Sequence, residues 1–218
     1  MSSPPDPPAD GPLDGRRAQA ARNDELILEA ARTVFIADPS APIAAVAERA
    51  VVGISALYRR YPSKQDLLRR LCADGLERYI ALAEAALRRE DDAWDAFAEF
   101  MAAVVEADTV SLVERLAGTF APTDELFRRS EQANALTSAL IERTKAAGAL
   151  RPDVEVDDVA LLFEALASVR LAGAERTREL RRRYLRLVLN ALHDSSMPPL
   201  PGRAPTPAEM AERWVPGS

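Results

Sequence analysis

The sequence has few of the residues that enzymes use for catalysis. It contains one histidine, His193, and one cysteine, Cys72, and it has no HExxH, CxxC or glycine-rich phosphate loop. The paired carboxylates Asp91-Asp92 and Asp157-Asp158 stand at predicted helix starts, where the helix dipole accounts for them. We therefore predict that the protein is not an enzyme and uses neither a cofactor nor a metal.

Long apolar runs are also lacking. No stretch approaches the ~20 uncharged apolar residues of a membrane span, and the first fifteen residues are rich in Pro and Asp instead of forming the apolar core of a secretory signal. The single Cys72 cannot form an internal disulfide, which fits a reducing compartment. We expect a cytoplasmic protein without a membrane partner.

Charge is unevenly distributed along the chain. The formal net charge is −6, but residues 16–72 contain ten Lys or Arg and six Asp or Glu, a net charge of +4. The residues after Cys72 carry a net charge of −7. A basic head on an acidic body would draw only the head towards nucleic-acid phosphates.

Apolar residues recur with helical spacing almost throughout, which predicts an all-α fold. Ile27, Ala31 and Phe35 lie on one stripe of a first helix, for which Asn23 or Asp24 is the predicted cap. Short second and third helices are predicted near 42–50 and 54–61. The two short helices and the tight turn between them make a helix-turn-helix geometry possible. A long fourth helix, capped by Ser63 and Asp66, is predicted to join them to an all-helical body.

Breaks in the apolar pattern predict five further helices, near 92–106, 108–118, 123–147, 155–171 and 175–193. The expected organisation is a disordered tail at 1–15, a helix-turn-helix domain at 16–72, a helical body at 73–193 and a Pro-rich tail at 194–218. In the last tail, Thr206 is a candidate cap for a short helix that carries Met210 and Trp214, although a frayed tail is the alternative.

The segment VAERAVVGISALYRRYPSKQDLL, residues 46–68, resembles the signature of the TetR family of transcriptional regulators. In that family, I-A-x-x-A is followed by G-V-S, then by T-L-Y-x-x-F and P-[ST]-[KR]-x-x-L. The residues that match without a gap are Ala47, Ala50, Val52, Gly53, Leu57, Tyr58, Pro62, Ser63, Lys64, Leu67 and Leu68. Tyr61 replaces the usual Phe, and the resemblance covers roughly residues 22–72.

The third helix is the predicted DNA reader, because the N-terminal end of such a helix enters the major groove. Arg side chains there can meet guanine edges or phosphates, and the resemblance implies a phosphate contact for Tyr58. Lys64, in the first turn of the fourth helix, and the basic residues before the first helix would hold the DNA backbone. The candidate DNA-binding residues are Arg16, Arg17, Arg22, Ile54, Ser55, Ala56, Tyr58, Arg59, Arg60 and Lys64; a solvated charged surface is the alternative.

Three residues depart from the family pattern. Val51 stands where the turn usually has Gly, and a β-branched residue at positive φ costs about 1–2 kcal/mol. Ala56 replaces a frequent Thr and Ser55 a frequent Gly. The alternative function is therefore a helical ligand-binding or interaction protein whose DNA reader is weakened.

In the body, aromatic and Met side chains with helical spacing are candidates for lining an apolar ligand cavity, and plain core is the alternative. The resemblance implies that a small-molecule effector binds among these middle helices and releases a palindromic double-stranded DNA operator. The acidic residues Asp95, Glu99 and Glu106 are interpreted as a solvated face. The candidate ligand-binding residues are Trp94, Phe97, Phe100, Met101, Val104, Leu116, Phe120 and Phe127.

Two apolar stripes on the last two body helices predict a homodimer. The resemblance implies that these helices pair with their copies in a four-helix bundle, as a two-fold interface requires; packing within one chain is the alternative. The candidate interface residues are Leu162, Ala165, Leu166, Val169, Leu180, Tyr184, Leu187 and Val188.

Overall fold

The computed structural model describes residues 12–116, 120–171, 173–193 and 197–212. These residues form helices and no strand, which confirms the predicted all-α class. The chain divides into two compact units between Leu67 and Leu68. The helices are α1 Pro12–Ala37, α2 Ile43–Arg49, α3 Ile54–Arg60, α4 Lys64–Leu87, α5 Ala93–Ala107, α6 Thr109–Leu116, α7 Asp124–Ala146, α8 Val156–Ser168, α9 Ala174–His193 and α10 Pro207–Glu212.

The first unit is held together by the apolar stripe that the sequence predicts. Ile27, Ala31 and Phe35 of α1 are buried, as are Val46 of α2 and Leu57 of α3. Because α2 and α3 are each only seven residues long, they are too short to be stable alone and depend on this packing.

Two helix starts differ from the prediction. The first helix begins at Pro12, so Asn23 and Asp24 lie inside α1 and do not cap it. The preceding segment is rich in Ala and Arg, which favour helix. The Asp24 carboxylate instead accepts hydrogen bonds from side chains of α3 and of the residue after it. Pro42 is the N-cap of α2, whereas the sequence suggested that it would be the first helical residue.

The turn between α2 and α3 begins with a Schellman motif, a pair of hydrogen bonds that closes a helix end. The N–H of Val52 donates to the carbonyl of Ala47 at 3.0 Å, and the N–H of Val51 donates to the carbonyl of Glu48 at 3.2 Å. The motif places Val51 in the left-handed region, with φ of 55° and 91% of the residue exposed. The same motif ends α7, where Gly148 has φ of 70°.

The predicted cap of α4 is confirmed. The N–H of Asp66 donates to the Ser63 hydroxyl oxygen at 3.1 Å, and that hydroxyl donates to the Asp66 carboxylate at 2.7 Å. These two bonds fix the start of the helix directly after Pro62, so α4 follows α3 after a short loop.

Aromatic rings fill the interior of the second unit. The ring of Tyr79 packs edge-on against Phe100 and Phe163, with centroids 5.4 and 6.1 Å away. The Tyr79 and Thr137 hydroxyls share a hydrogen bond of 2.9 Å, and burial raises the pKa of Tyr79 to about 12. This hydroxyl pair joins α4 to α7 inside an otherwise apolar core.

A buried guanidinium of α9 joins the ends of two other helices in the same unit. Arg181 of α9 donates to the Asp108 carboxylate at 2.8 Å, to the Ala167 carbonyl at 2.7 Å and to the Val169 carbonyl at 3.2 Å. Its side chain is 7% exposed. Asp108 is the C-cap of α5 and has φ of 50°, so the ion pair fixes that left-handed residue against the end of α8.

The C-terminal segment is ordered where the structure describes it. Arg151 donates to Asp153 at 2.6 Å and to the Pro198 carbonyl at 2.9 Å, and the N–H of Leu200 donates to Asp153 at 2.7 Å. The predicted Thr206 cap is present, because the N–H of Glu209 donates to the Thr206 hydroxyl at 3.3 Å. Trp214 lies outside the described residues.

Within the described residues, no helix is both long enough and apolar enough to cross a membrane.

We expect Val51→Gly to raise the free energy of unfolding by about 1 kcal/mol, because Gly adopts positive φ without steric strain. The Val51 side chain is exposed, so its removal forfeits little packing. The free energy is measured by urea unfolding followed by circular dichroism. Val51→Ala is the control: it removes most of the same exposed side chain but keeps a Cβ at φ of 55°, so it should gain less than Val51→Gly. A gain of the same size in the control would contradict the assignment of strain to Val51.

We expect Arg181→Ala to lower the free energy of unfolding by about 3 kcal/mol, because it removes a guanidinium that satisfies buried polar groups. The neighbouring Arg182→Ala is the matched control. Arg182 pairs with Glu106 but has a side chain that is 54% exposed, and exposed ion pairs contribute less than about 1 kcal/mol. Equal losses in the two variants would contradict the assigned role of Arg181.

Candidate nucleic-acid interface

The outer face of α3 carries the residues that the sequence singles out as a DNA reader. Ile54, Ser55, Tyr58 and Arg59 are exposed, whereas Leu57 is buried against the other two helices. Ala56 is partly buried. Arg59 makes no hydrogen bond or ion pair with any residue that the structure describes, so its guanidinium is available to a partner.

A groove runs between α3 and the N-terminal half of α1. It has a volume of about 720 Å³ and is lined by Asn23 and Asp24 on one side and by Ala56, Arg59 and Arg60 on the other, with the turn residues Val51, Val52 and Gly53 at one end. Most of its lining residues are apolar, but two guanidinium groups stand in the wall, and these suit a sugar-phosphate backbone or the edge of a base.

Arg60 is engaged within the unit. Its Nε and Nη2 atoms donate to the two carboxylate oxygens of Asp24, at 2.8 and 3.0 Å. The hydrogen bonds to Asp24, followed by its negative charge, raise the pKa of Arg60. Asp24 is not recognisable from the sequence as a partner of Arg60, because the two residues lie 36 positions apart and the local pattern marks Asp24 as a candidate helix cap.

Lys64 also differs from its expected role. Its Nζ donates to the carbonyl oxygens of Pro39 and Ala41, both at 2.8 Å, and lies 5.0 Å from the centroid of the Phe35 ring. The ammonium group therefore holds the α1–α2 loop against the start of α4. Two of the three Nζ donors are used within the unit in this way, and the phosphate contact expected for Lys64 stays a prediction.

The basic residues before the predicted first helix are now part of α1. Arg22 is exposed and donates to Gln19 at 2.9 Å. The side chains of Arg16 and Arg17 lie outside the described residues.

Most of the candidate ligand-binding residues are packed in the core of the body. Phe97, Phe100, Met101, Val104, Leu116 and Phe120 are buried, and Trp94 is partly buried against Phe97 and His193. Phe127 is a correction, because it points outwards on α7 and is exposed. The neighbouring cavity, lined by Val104, Asp108, Phe163 and Arg181 among others, has a volume of only about 10 Å³, and Val104 alone among the candidates lines it.

The candidate dimer residues divide between the surface and the core. Tyr184 and Leu187 of α9 and Ala165 of α8 are exposed, and Leu162, Val169 and Val188 are partly buried. Leu166 and Leu180 are corrections, because both are buried within their own chain. Exposed Leu161 lies one turn before Ala165 on the same side of α8 and is not among the candidate residues.

Two family models match the sequence. The model described as bacterial regulatory proteins of the tetR family matches residues 27–71, and the model described as the C-terminal domain of SbtR-like transcriptional regulators matches residues 91–194. No curated protein matches significantly.

Solved structures of TetR regulators share this fold. A TetR transcription regulatory protein from Mycobacterium vanbaalenii is 27% identical, with a TM-score of 0.56 over 82% of this chain and 99% of its own. A TetR regulator from Streptomyces coelicolor is 22% identical, with a TM-score of 0.58 over 79% and 99%. The TetR-like regulator LfrR from Mycobacterium smegmatis, solved with proflavine, is 20% identical, with a TM-score of 0.57 over 83% and 99%.

The helix-turn-helix unit and the helical body thus match the two halves of one family, and the two family models together span about two thirds of the chain. The chain belongs to the TetR family of transcriptional regulators, a family typified by repression and by release from DNA on ligand binding.

Proposed function

We propose that this regulator binds a palindromic DNA operator as a homodimer, with α3 in the major groove. The observation that carries the proposal is the exposed face of α3, where Ser55, Tyr58 and Arg59 stand beside the groove. A hydroxyl, a phenol and an unpaired guanidinium can together contact base edges and phosphates.

We further propose that the units correspond to the predicted domains, with residues 16–72 binding DNA and residues 73–193 forming the body.

Binding, and not catalysis, accounts best for the chemistry of the described residues. The thiol of Cys72 is buried, and burial raises its pKa to about 12, so it carries no thiolate at neutral pH. His193 lies against Trp94, with ring centroids 4.3 Å apart and the ring planes tilted by 53°. Neither group has the arrangement of a nucleophile with a neighbouring base.

The operator can be found by selection of duplexes from a random library with the purified protein. We expect enrichment of an inverted repeat, with affinity that falls steeply between about 50 and about 200 mM salt because phosphate contacts release counterions. Arg59→Ala should weaken binding to the selected duplex about tenfold. Arg182→Ala, which removes an exposed guanidinium from the body, is the control and should leave affinity unchanged.

Absence of salt-dependent, sequence-preferring binding would instead favour the second candidate, a helical ligand-binding or interaction protein with a weakened DNA reader. The observations behind that candidate are the two cations, Arg60 and Lys64, that are already paired within the first unit, and the strained Val51 in the turn.

We propose that the dimer forms through the exposed apolar residues of α8 and α9. Leu161 and Ala165 are one turn apart on α8, and Tyr184 and Leu187 are one turn apart on α9. Each helix therefore presents an apolar strip. A two-fold axis would pair the strips of two copies in a four-helix bundle. Dimerisation would supply the second recognition helix that a palindromic site requires.

We expect Leu187→Glu to convert the dimer into a monomer, because the substitution places a charge in an apolar interface. Molar mass is measured by light scattering coupled to size-exclusion chromatography. Leu26→Glu is the control, since Leu26 on α1 is exposed to nearly the same extent, 56% against 55% for Leu187. A monomeric native protein, or a dimer that survives Leu187→Glu, would contradict this interface.

We infer that a small-molecule effector binds in the body at the cavity between α5 and α8. The cavity is lined by Val104, Phe163 and the Asp108–Arg181 pair, and the buried hydroxyl of adjacent Thr109 has no hydrogen-bond partner among the described residues. At about 10 Å³ the site holds little more than a water molecule, so a ligand would have to separate the helices. A ligand that binds only when the helices are separated would shift the conformational equilibrium of the body.

A further inference from the structure

Asp24 is the centre of a side-chain network that faces the groove. Its carboxylate accepts from Arg60 Nε at 2.8 Å and Nη2 at 3.0 Å, and from the Tyr61 hydroxyl at 2.6 Å. The Asp24 side chain is 13% exposed and that of Arg60 is 61% exposed. The carboxylate is therefore covered, whereas much of the guanidinium remains in contact with solvent.

The way in which Arg60 meets Asp24 leaves one edge of the guanidinium open. Nε and Nη2 form one edge of the planar group, and the outer N–H groups of Nη1 and Nη2 form the next. Asp24 occupies the first edge. The second edge keeps two parallel N–H donors, which is the geometry that binds a phosphate in a bidentate manner.

Tyr61 reinforces this orientation from the buried side. Tyr61 is the C-cap of α3 and is 5% exposed, so a Phe ring at this position would pack equally well. The hydroxyl donates to Asp24 Oδ1, the oxygen that also accepts from Arg60 Nε, and the Arg60 guanidinium carbon lies 5.8 Å from the centroid of the Tyr61 ring. The side chains of Asp24 and Tyr61 thus hold the Arg60 guanidinium in a single position.

The place of Arg60 in α3 indicates phosphate as its ligand. Arg60 is the last residue of the helix, whereas base contacts of a recognition helix come from its N-terminal part. The Arg60 guanidinium lines the groove opposite α1. A backbone phosphate held in this groove would lie beside Arg60.

We propose that Asp24 is a positioning residue that, together with the Tyr61 hydroxyl, presents Arg60 for a bidentate contact with one phosphate of the DNA backbone. The proposal rests on the DNA-binding function proposed above. Preorganisation is the source of the effect, because a free Arg side chain loses rotamer freedom when it binds, whereas Arg60 is already ordered.

The test compares Asp24→Asn, Tyr61→Phe, Arg60→Ala and the double variant Asp24→Asn/Arg60→Ala on the duplex selected by the native protein. Affinity is measured by fluorescence anisotropy over a range of salt concentrations. We expect Arg60→Ala to weaken binding about tenfold and to lower the salt slope by about 1. Asp24→Asn should weaken binding about fivefold and Tyr61→Phe about twofold, and the double variant should be no weaker than Arg60→Ala alone.

A phosphate contact is separated from a base contact by changes to the DNA. Neutral methylphosphonate linkages, introduced one at a time, should reveal one position that weakens the native protein and leaves Arg60→Ala unaffected. If 7-deazaguanine has that effect instead, Arg60 reads a base and the proposal is wrong. Thermal unfolding of each variant shows whether the unit remains folded, and Tyr61→Phe retains the packed ring if Asp24→Asn does not fold.

Two further results would overturn the proposal. Tighter binding by Asp24→Asn would mean that Asp24 sequesters Arg60, and an Asp24→Asn loss that persists in the Arg60→Ala background would mean that Asp24 acts only on the fold. If the native protein binds no duplex, the proposed function fails as a whole. If the native protein binds and Asp24→Asn binds equally well, only the role of Asp24 is refuted.

Discussion

The left-handed residue at the end of α2 is the constraint on which the first unit depends. Because the Schellman motif pairs the N–H groups of Val51 and Val52, the chain leaves α2 in one direction and begins α3 at Ile54. A helix of seven residues cannot fix its own orientation. This turn and the burial of Leu57 together fix the orientation of α3, so that Tyr58 and Arg59 face outwards.

Apolar periodicity was sufficient to predict the helices, because the spacing that buries one face of a helix is a local property of the sequence. Helix ends with a local signal, such as Ser63 with Asp66, were predicted correctly. The start of α1 was predicted wrongly. A helix cap is recognised from residues about three positions away, whereas the residue that pairs with Asp24 lies 36 positions along the chain. The positive φ at Val51 was expected because the family motif has Gly there.

The same distinction explains the candidate sites. The surface positions of α3 follow from helical geometry, so the sequence places Ser55 and Tyr58 correctly. Whether an aromatic residue lines a cavity or fills it depends on how neighbouring helices pack, which no local pattern records. Phe97 and Phe100 are packed against other side chains, and the same periodicity that predicted a stripe on α8 could not separate buried Leu166 from exposed Ala165.

The use of arginine decides how much of the positive charge in the head can reach DNA. Only two of the 28 cationic residues are lysines, and a guanidinium has five donors in fixed directions, so it can brace the protein with one edge and still present another. Lys64 lacks that geometry, and two of its donors are satisfied by carbonyl groups. Arg60 retains an open edge beside Asp24, and Arg59 is unpaired among the described residues. The number of phosphate contacts is therefore set by which donors remain after folding, and a count of basic residues overestimates it.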